Sequence, residues 1–217
     1  MAAIYTKHCV RNKIEISNVV YFIGGAADKT RESFGLVKWG PTNLMGLCRA
    51  AFDQKKGSGC ETHYYGYLEK DAIAESIVQL KQAEPNIRIN LVGHSRGGAV
   101  ANELALNILP SLNINTNVVV LLDPVKASPR DKFTIPKNND AHLTNLYVCI
   151  FAKPLKRDPT DYVAIVGGQY GERLKAYCDF YIEADANHGE PMKMLKTALD
   201  EKESSAWDIL LAESKKP

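Results

Sequence analysis

The chain has 217 residues, of which 45% are hydrophobic and 24% charged, with a formal net charge of +2 at pH 7. That length is enough to bury about 70% of the surface an unfolded chain exposes, and the composition is that of an ordinary soluble protein, which we read as one domain spanning residues 1–217. A nearly balanced charge gives no electrostatic reason to expect nucleic acid as a partner, and no basic stripe is interleaved with aromatics.

The five cysteines, at 9, 48, 60, 149 and 178, are odd in number and lack CxxC or CxxH spacing. Neither a complete disulfide framework nor a zinc site is suggested, and we expect no metal and no cofactor. A reducing compartment follows as the simpler reading. Met1 to Lys13 has basic residues but no apolar core, and no run reaches the ~18 residues of a spanning helix. The expectation is a cytoplasmic protein, or one exported without a cleaved signal peptide, whose only membrane contact is peripheral.

Ile14 to Phe22 is an apolar, β-prone stretch that stops at Ile23-Gly24-Gly25-Ala26-Ala27-Asp28. Glycines just past a buried strand leave main-chain N–H groups uncovered, as an oxyanion hole requires, although an ordinary strand-to-helix turn has the same look. Lys29 to Pro41 has no clean periodicity and reads as a loop, with Phe34, Val37 and Trp39 as candidates to line an acyl pocket. Thr42 or Asn43 then caps a helix with Leu44, Leu47, Cys48 and Ala51 on one face. Glu61 to Tyr67 is a short aromatic strand, in which His63 reads as a packed or surface residue. Asp71 caps the next helix, whose Ile73, Ile77 and Leu80 form a buried stripe ending before Pro85.

In INLVGHSRGGAV, Ile89 to Val100, an apolar strand ends in Gly93-His94-Ser95-Arg96-Gly97 and a helical pattern begins at once. This is a candidate nucleophile elbow, because a tight strand-to-helix turn lifts a serine hydroxyl away from its own backbone. Gly93 and Gly97 stand where neighbouring backbones approach too closely for a Cβ. Val100, Ala101, Leu104 and Ile108 continue the helix, and Pro110 closes it. So far strands and helices alternate, which predicts a mainly parallel sheet covered on both faces.

Asn117 to Leu122 is an evident buried strand that delivers Asp123-Pro124-Val125 to the edge carrying Ser95. Asp123 is well placed for chemistry there, or else merely caps the turn. Lys126 to Thr144 is irregular, and Asn145 to Ala152 is another strand. Lys153 to Glu172 reads as a second long loop whose Asp158 and Asp161 compete with Asp123 as the acid but look solvated. Ala176 to Ile182 is the last strand, leading to Asn187-His188-Gly189. Pro191 opens a helix with Met192, Leu195 and Leu199 on one face, and a final helix around Trp207, Leu210 and Leu211 packs back on the sheet.

Ser95, Asp123 and His188 thus follow separate strands in the order associated with α/β-hydrolases. Through FIGGA, GHSRGG, LLDPV and NHG the sequence resembles that superfamily, and LLDPV looks like the acid position of pancreatic-type lipases. FIGGAADK, YYGY, GHSRGGAVANELA and LLDPV together are similar to small bacterial lipase-like hydrolases, some of which are delivered as antibacterial effectors by contact-dependent secretion. The resemblance implies an α/β-hydrolase fold and a serine ester hydrolase, lipase- or phospholipase-like, acting on a small-molecule or lipid ester. Ser95 would be the nucleophile, His188 the base and Asp123 its orienting acid, with oxyanion donors at Arg96 and at Gly25 or Ala26. His94 reads as packed or hydrogen-bonded beside the elbow, and His8 and His142 as structural or exposed. No long apolar lid helix stands out. The alternatives are a thioester or amide hydrolase and a catalytically idle fold used for binding.

Overall fold

Along β1 (Asn18–Gly24) Val19, Tyr21 and Ile23 alternate with Val20 and Phe22, and both sets are buried. A strand apolar on both sides belongs inside a sheet covered on both faces. The computed structural model, which describes residues 15–30, 32–34, 37–126, 143–201 and 203–217, has that α/β architecture. β1, β4 (Cys60–Gly66), β5 (Arg88–His94), β6 (Thr116–Leu122), β7 (Thr144–Ala152) and β8 (Phe180–Ala184) form one parallel sheet in the order β4-β1-β5-β6-β7-β8.

The two-residue period of the strands sorts their side chains between two cores. Val20, Phe22, Val92, Val120 and Leu122 meet α1 (Leu44–Asp53), α6 (Pro191–Leu195) and α7 (Ala206–Ser214) on one face. Phe52 of α1 stacks at 5.6 Å on both Phe22 and Trp207, edge-on to the indole, tying α1 and α7 to β1. Val19, Tyr21, Ile23, Leu91 and Leu121 meet α2 (Lys70–Ala83) and α3 (Arg96–Glu103) on the other.

β4 and β5 flank β1 on opposite sides, so the winding of the chain reverses between β1 and β5. At such a switch point the loops beyond the carboxyl ends of the two strands part and leave a crevice. Here those loops are the Gly25-Ala26 turn and Ser95.

Several local expectations are corrected. Within the segment expected to be an irregular loop, β2 (Glu32–Phe34) and β3 (Val37–Trp39) pair as an antiparallel hairpin; the side chains of Phe34, Val37 and Trp39 lie outside the described residues. The buried stripe of α1 is Met45, Cys48 and Phe52, with Leu47 63% exposed, and Asp28 rather than Thr42 or Asn43 accepts from the first N–H groups of the helix. α3 does not stop at Pro110. A wider turn over Leu104–Ile108, with Leu109 N–H bonded to the Leu104 carbonyl, lets it run on as α4 (Leu109–Ser111) through a proline that has no N–H to offer. The supposed loop after β7 contains α5 (Pro159–Gly167), started by Asp158 and Pro159 and stopped by Gly168 at φ 89°. α6 ends at Leu195, short of Leu199.

Where α3 leaves β5, a Cβ on Gly97 would stand 2.2 Å from the Ile23 carbonyl oxygen, and one on Gly98 would stand 3.1 Å from Pro124 Cβ. Backbone cannot yield as a side chain can. Gly97→Ala is expected to cost about 3 kcal/mol and Gly98→Ala about 1 kcal/mol in urea unfolding. Equal, small losses would show that α3 and β1 are less closely packed than described.

Candidate active site

Ser95 sits between β5 and α3 at φ 56° and ψ −125°, a strained conformation for a residue with a side chain. Its main chain is pinned: Ser95 N–H donates to the Leu122 carbonyl at 3.0 Å, and its own carbonyl accepts from Gly98 N–H and Val125 N–H at 2.9 and 3.0 Å. These bonds tie the elbow to the turn after β6, which carries Asp123. Gly25 packs on the other side, where a Cβ would come within 2.6 Å of Ser95 Cβ.

Asp123 is fully buried at φ 44°. Three N–H donors converge on its carboxylate. Oδ1 accepts from Ala152 N–H at 3.1 Å and from the Gln169 amide, and Oδ2 accepts from His188 Nδ1 at 2.6 Å. The carboxylate thereby assigns the Nδ1–H tautomer to His188 and leaves Nε2 as the acceptor. Ser95 and His188, each 7% exposed, share the wall of a cavity of about 200 Å³ that Ala26, Leu44 and Val163 also line. The structure therefore brings together Ser95, Asp123, His188 and the Gly25-Ala26 turn. No hydrogen bond joins Ser95 Oγ to the imidazole. Arg96 opens α3 immediately after Ser95, at the positive end of that helix's dipole, and its guanidinium Nη1 donates to Tyr67 OH at 3.0 Å.

The rival acids are employed elsewhere. Asp158 and Asp161 form a capping box at the start of α5, and Asp161, expected to be solvated, is only 5% exposed. Its Oδ2 accepts from Asp158 N–H and its Oδ1 from His188 N–H, both at 2.7 Å. His63 stacks on Tyr21 at 4.9 Å and pairs with Glu61 at 3.2 Å, away from the cavity, and burial lowers its pKa from the ordinary imidazole value. His8 and His142 lie outside the described residues.

Asp28 and Gln169 were not legible as contributors, whereas His94 is hydrogen-bonded beside the elbow as expected. Asp28, 2% exposed, accepts from Leu44 N–H, from Met45 N–H at 3.1 Å and from Thr42 Oγ1 at 3.0 Å, capping α1 from a distance, while its own N–H donates to the Gly25 carbonyl at 3.3 Å. Burial raises its pKa above 3.8, and these donors offset part of the rise. Gln169 holds Asp123 from the segment after α5. His94 donates Nε2–H to the His188 carbonyl at 2.7 Å and lies against the His188 ring, centroids 4.7 Å apart. Asp161 was visible only as a rival acid, and for Gln169 there was no signal. A larger cavity of about 580 Å³ lies at the amino ends of the strands, by Ser17 and Arg88, and none of the site residues reaches it. Among the described residues no group of three or more His, Cys, Asp or Glu is arranged to hold a metal, and no helix is long and apolar enough to cross a membrane.

No family model matches the chain, and neither does any curated protein. Among solved structures it is similar to acetyl xylan esterases. One is 14% identical over 68% of both chains with a TM-score of 0.30. An iodinated acetyl xylan esterase complex is 14% identical over 67% of both chains, with a TM-score of 0.27. The catalytic core domain of acetyl xylan esterase from Trichoderma reesei is 10% identical, over 77% of this chain and 82% of that one, with a TM-score of 0.34. Likeness at this level carries no functional weight.

Burial, and then the neighbouring His188, push the His94 imidazole down from 6.5 to about 3. The folded protein keeps it neutral where an unfolded chain would protonate it, so the unfolded state binds more protons and stability falls as pH drops from 6.5 toward 3. The loss from this group is about 1.4 kcal/mol per pH unit. Urea midpoints at pH 7 and pH 4.5 should therefore drop further for the native protein than for His94→Gln, which has nothing to titrate there. Identical acid losses would mean that His94 is not held neutral.

Proposed function

We propose that this protein is a carboxylic ester hydrolase working through an acyl-enzyme on Ser95. The observation that carries the reading is the 2.6 Å bond from His188 Nδ1 to a fully buried Asp123, on the wall of a cavity that a strained Ser95 also lines. A carboxylate that fixes the imidazole tautomer leaves Nε2 to take the serine proton.

In this mechanism Ser95 Oγ attacks the ester carbonyl as its proton passes to His188 Nε2. The tetrahedral oxyanion is met by main-chain N–H groups of Arg96 and of Gly25 or Ala26. Collapse breaks the bond to the alcohol, which leaves with the proton from the imidazolium. Water, deprotonated by the same Nε2, then attacks the acyl-enzyme and releases the acid. Asp123 stabilises the positive imidazole at both stages.

A cavity of about 200 Å³ is smaller than the ~300 Å³ and upward of sites for drug-sized ligands, which favours a short acyl group. One feature favours a second reading, ester at a lipid surface. α5 lines the cavity with Thr160 and Val163 and exposes Tyr162 (58%), Ile165 (44%) and Val166 (88%) beside it. It is a nine-residue apolar helix in a stretch where the sequence suggested no lid.

Ser95→Ala should abolish both ester hydrolysis and labelling by a fluorophosphonate probe without unfolding the protein. If folded Ser95→Ala hydrolyses esters as fast as the native chain, the nucleophile is wrong; if the native chain is neither labelled nor active on any ester, a binding role is the better reading.

Asp123→Asn should lower kcat about 10⁴-fold, by analogy with the acid of serine proteases. Near-normal turnover in that variant would remove Asp123 from the mechanism. Rates on short monomeric esters and on phospholipid vesicles separate the substrate classes, with faster turnover on vesicles favouring the lipid reading.

A further inference from the structure

His188 lies on the loop between β8 and α6, and loops are the mobile part of a fold. The Asp123 bond fixes one ring nitrogen and leaves the loop backbone free to shift the ring relative to Ser95. Two other side chains hold that backbone. Asp161 Oδ1 accepts from His188 N–H at 2.7 Å, and His94 Nε2 donates to the His188 carbonyl at 2.7 Å. Both are buried, at 5% and 4% exposure. The grip extends to the next residue, where Gly189 N–H donates to Thr160 Oγ1 at 2.9 Å, and Thr160 Oγ1 in turn donates to Asp158 Oδ1 at 2.5 Å. The preceding Asn187 N–H donates to Glu190 Oε2 at 2.8 Å.

We propose that Asp161 and His94 are positioning residues that grip the His188 main chain on either side of its Cα and set the reach of its imidazole toward Ser95. The inference rests on the acyl-transfer reading of Ser95, Asp123 and His188. Asp161 meets only the His188 main chain, and His94, whose ring lies against the His188 ring on the cavity wall, acts through the bond to its carbonyl. Asp161 couples the loop to the first turn of α5, through the same carboxylate that completes that helix's capping box, and His94 couples it to the elbow itself, one residue before the nucleophile. Thus the two elements that must meet for proton transfer, elbow and base loop, are joined by a bond that does not involve substrate. A displacement of about 1 Å in such a pair costs about a hundredfold in rate.

The test compares variants that keep or remove each bond. His94→Phe keeps a ring without the donor, whereas His94→Gln keeps an N–H near the place of Nε2. Asp161→Leu keeps the shape without acceptors, whereas Asp161→Asn keeps one. We expect His94→Phe and Asp161→Leu to lower kcat and the rate of fluorophosphonate labelling about a hundredfold with KM little changed, and the Gln and Asn variants to restore most of both. The Nδ1–H proton resonance of His188, a readout independent of activity, should broaden in His94→Phe and sharpen again in His94→Gln. Urea midpoints identify any variant that fails to fold; if Asp161→Leu is one, the His94 pair still decides. Folded His94→Phe with native kcat, native labelling and a native resonance overturns the proposal, as does a loss shared equally by Phe and Gln. Activity surviving in Ser95→Ala would instead overturn the parent reading, while the resonance would continue to report on the grip.

Discussion

Three backbones meet at Ser95 at separations that leave no room for side chains. A Cβ on Gly93 would strike the Gly97 carbonyl at 2.3 Å, one on Gly97 the Ile23 carbonyl at 2.2 Å, and one on Gly25 the Ser95 Cβ at 2.6 Å. This close approach lets α3 start immediately beyond β5 and hold Ser95 at a positive φ with its carbonyl tied to the turn after β6. The conformation is costly in isolation and persists because the sheet on one side and α3 on the other leave no alternative. The cavity, the turn at Gly25 and the position of Asp123 all follow from where this crossing sits, at the reversal between β1 and β5.

Around that crossing three buried carboxylates are each met by several donors, as low local polarity demands. Asp28 takes the first N–H groups of α1, Asp123 takes three N–H donors, and Asp161 takes the main chain of His188. Each carboxylate links two segments far apart in sequence. His94 completes the set as a neutral donor, kept so by burial. Such a network places the imidazole by bonds from both its ring and its backbone, which a carboxylate on the ring alone does not do.

α5 has two sides with different consequences. Its N-terminal turn is built into the site through Asp158, Thr160 and Asp161, while Tyr162, Ile165 and Val166 leave apolar surface open beside the cavity. Any substrate or surface that meets this apolar face also meets the element that holds the base loop.

The sequence by itself determined the sheet, its two-sided burial and the strand ends that carry Ser95, Asp123 and His188, because period-two apolar runs and glycine-flanked turns are local signals. It also marked Gly93 and Gly97 as positions of close approach. It misread α5, although Asp158-Pro159 and Gly167-Gly168 bracket it, since an apolar helix lying partly exposed lacks the one-sided stripe by which helices are recognised. It misplaced the cap of α1 because Asp28 acts across fourteen or more residues of chain. Whether a carboxylate is a cap, a solvated charge or a partner of an imidazole depends on which donors folding brings to it. Asp123 and Asp161 looked like competitors in the chain; only the tertiary structure, by putting one against the His188 ring and the other against its main chain, gave them different places, since hydrogen bonds between residues 27 and 65 positions apart leave no local trace in a sequence.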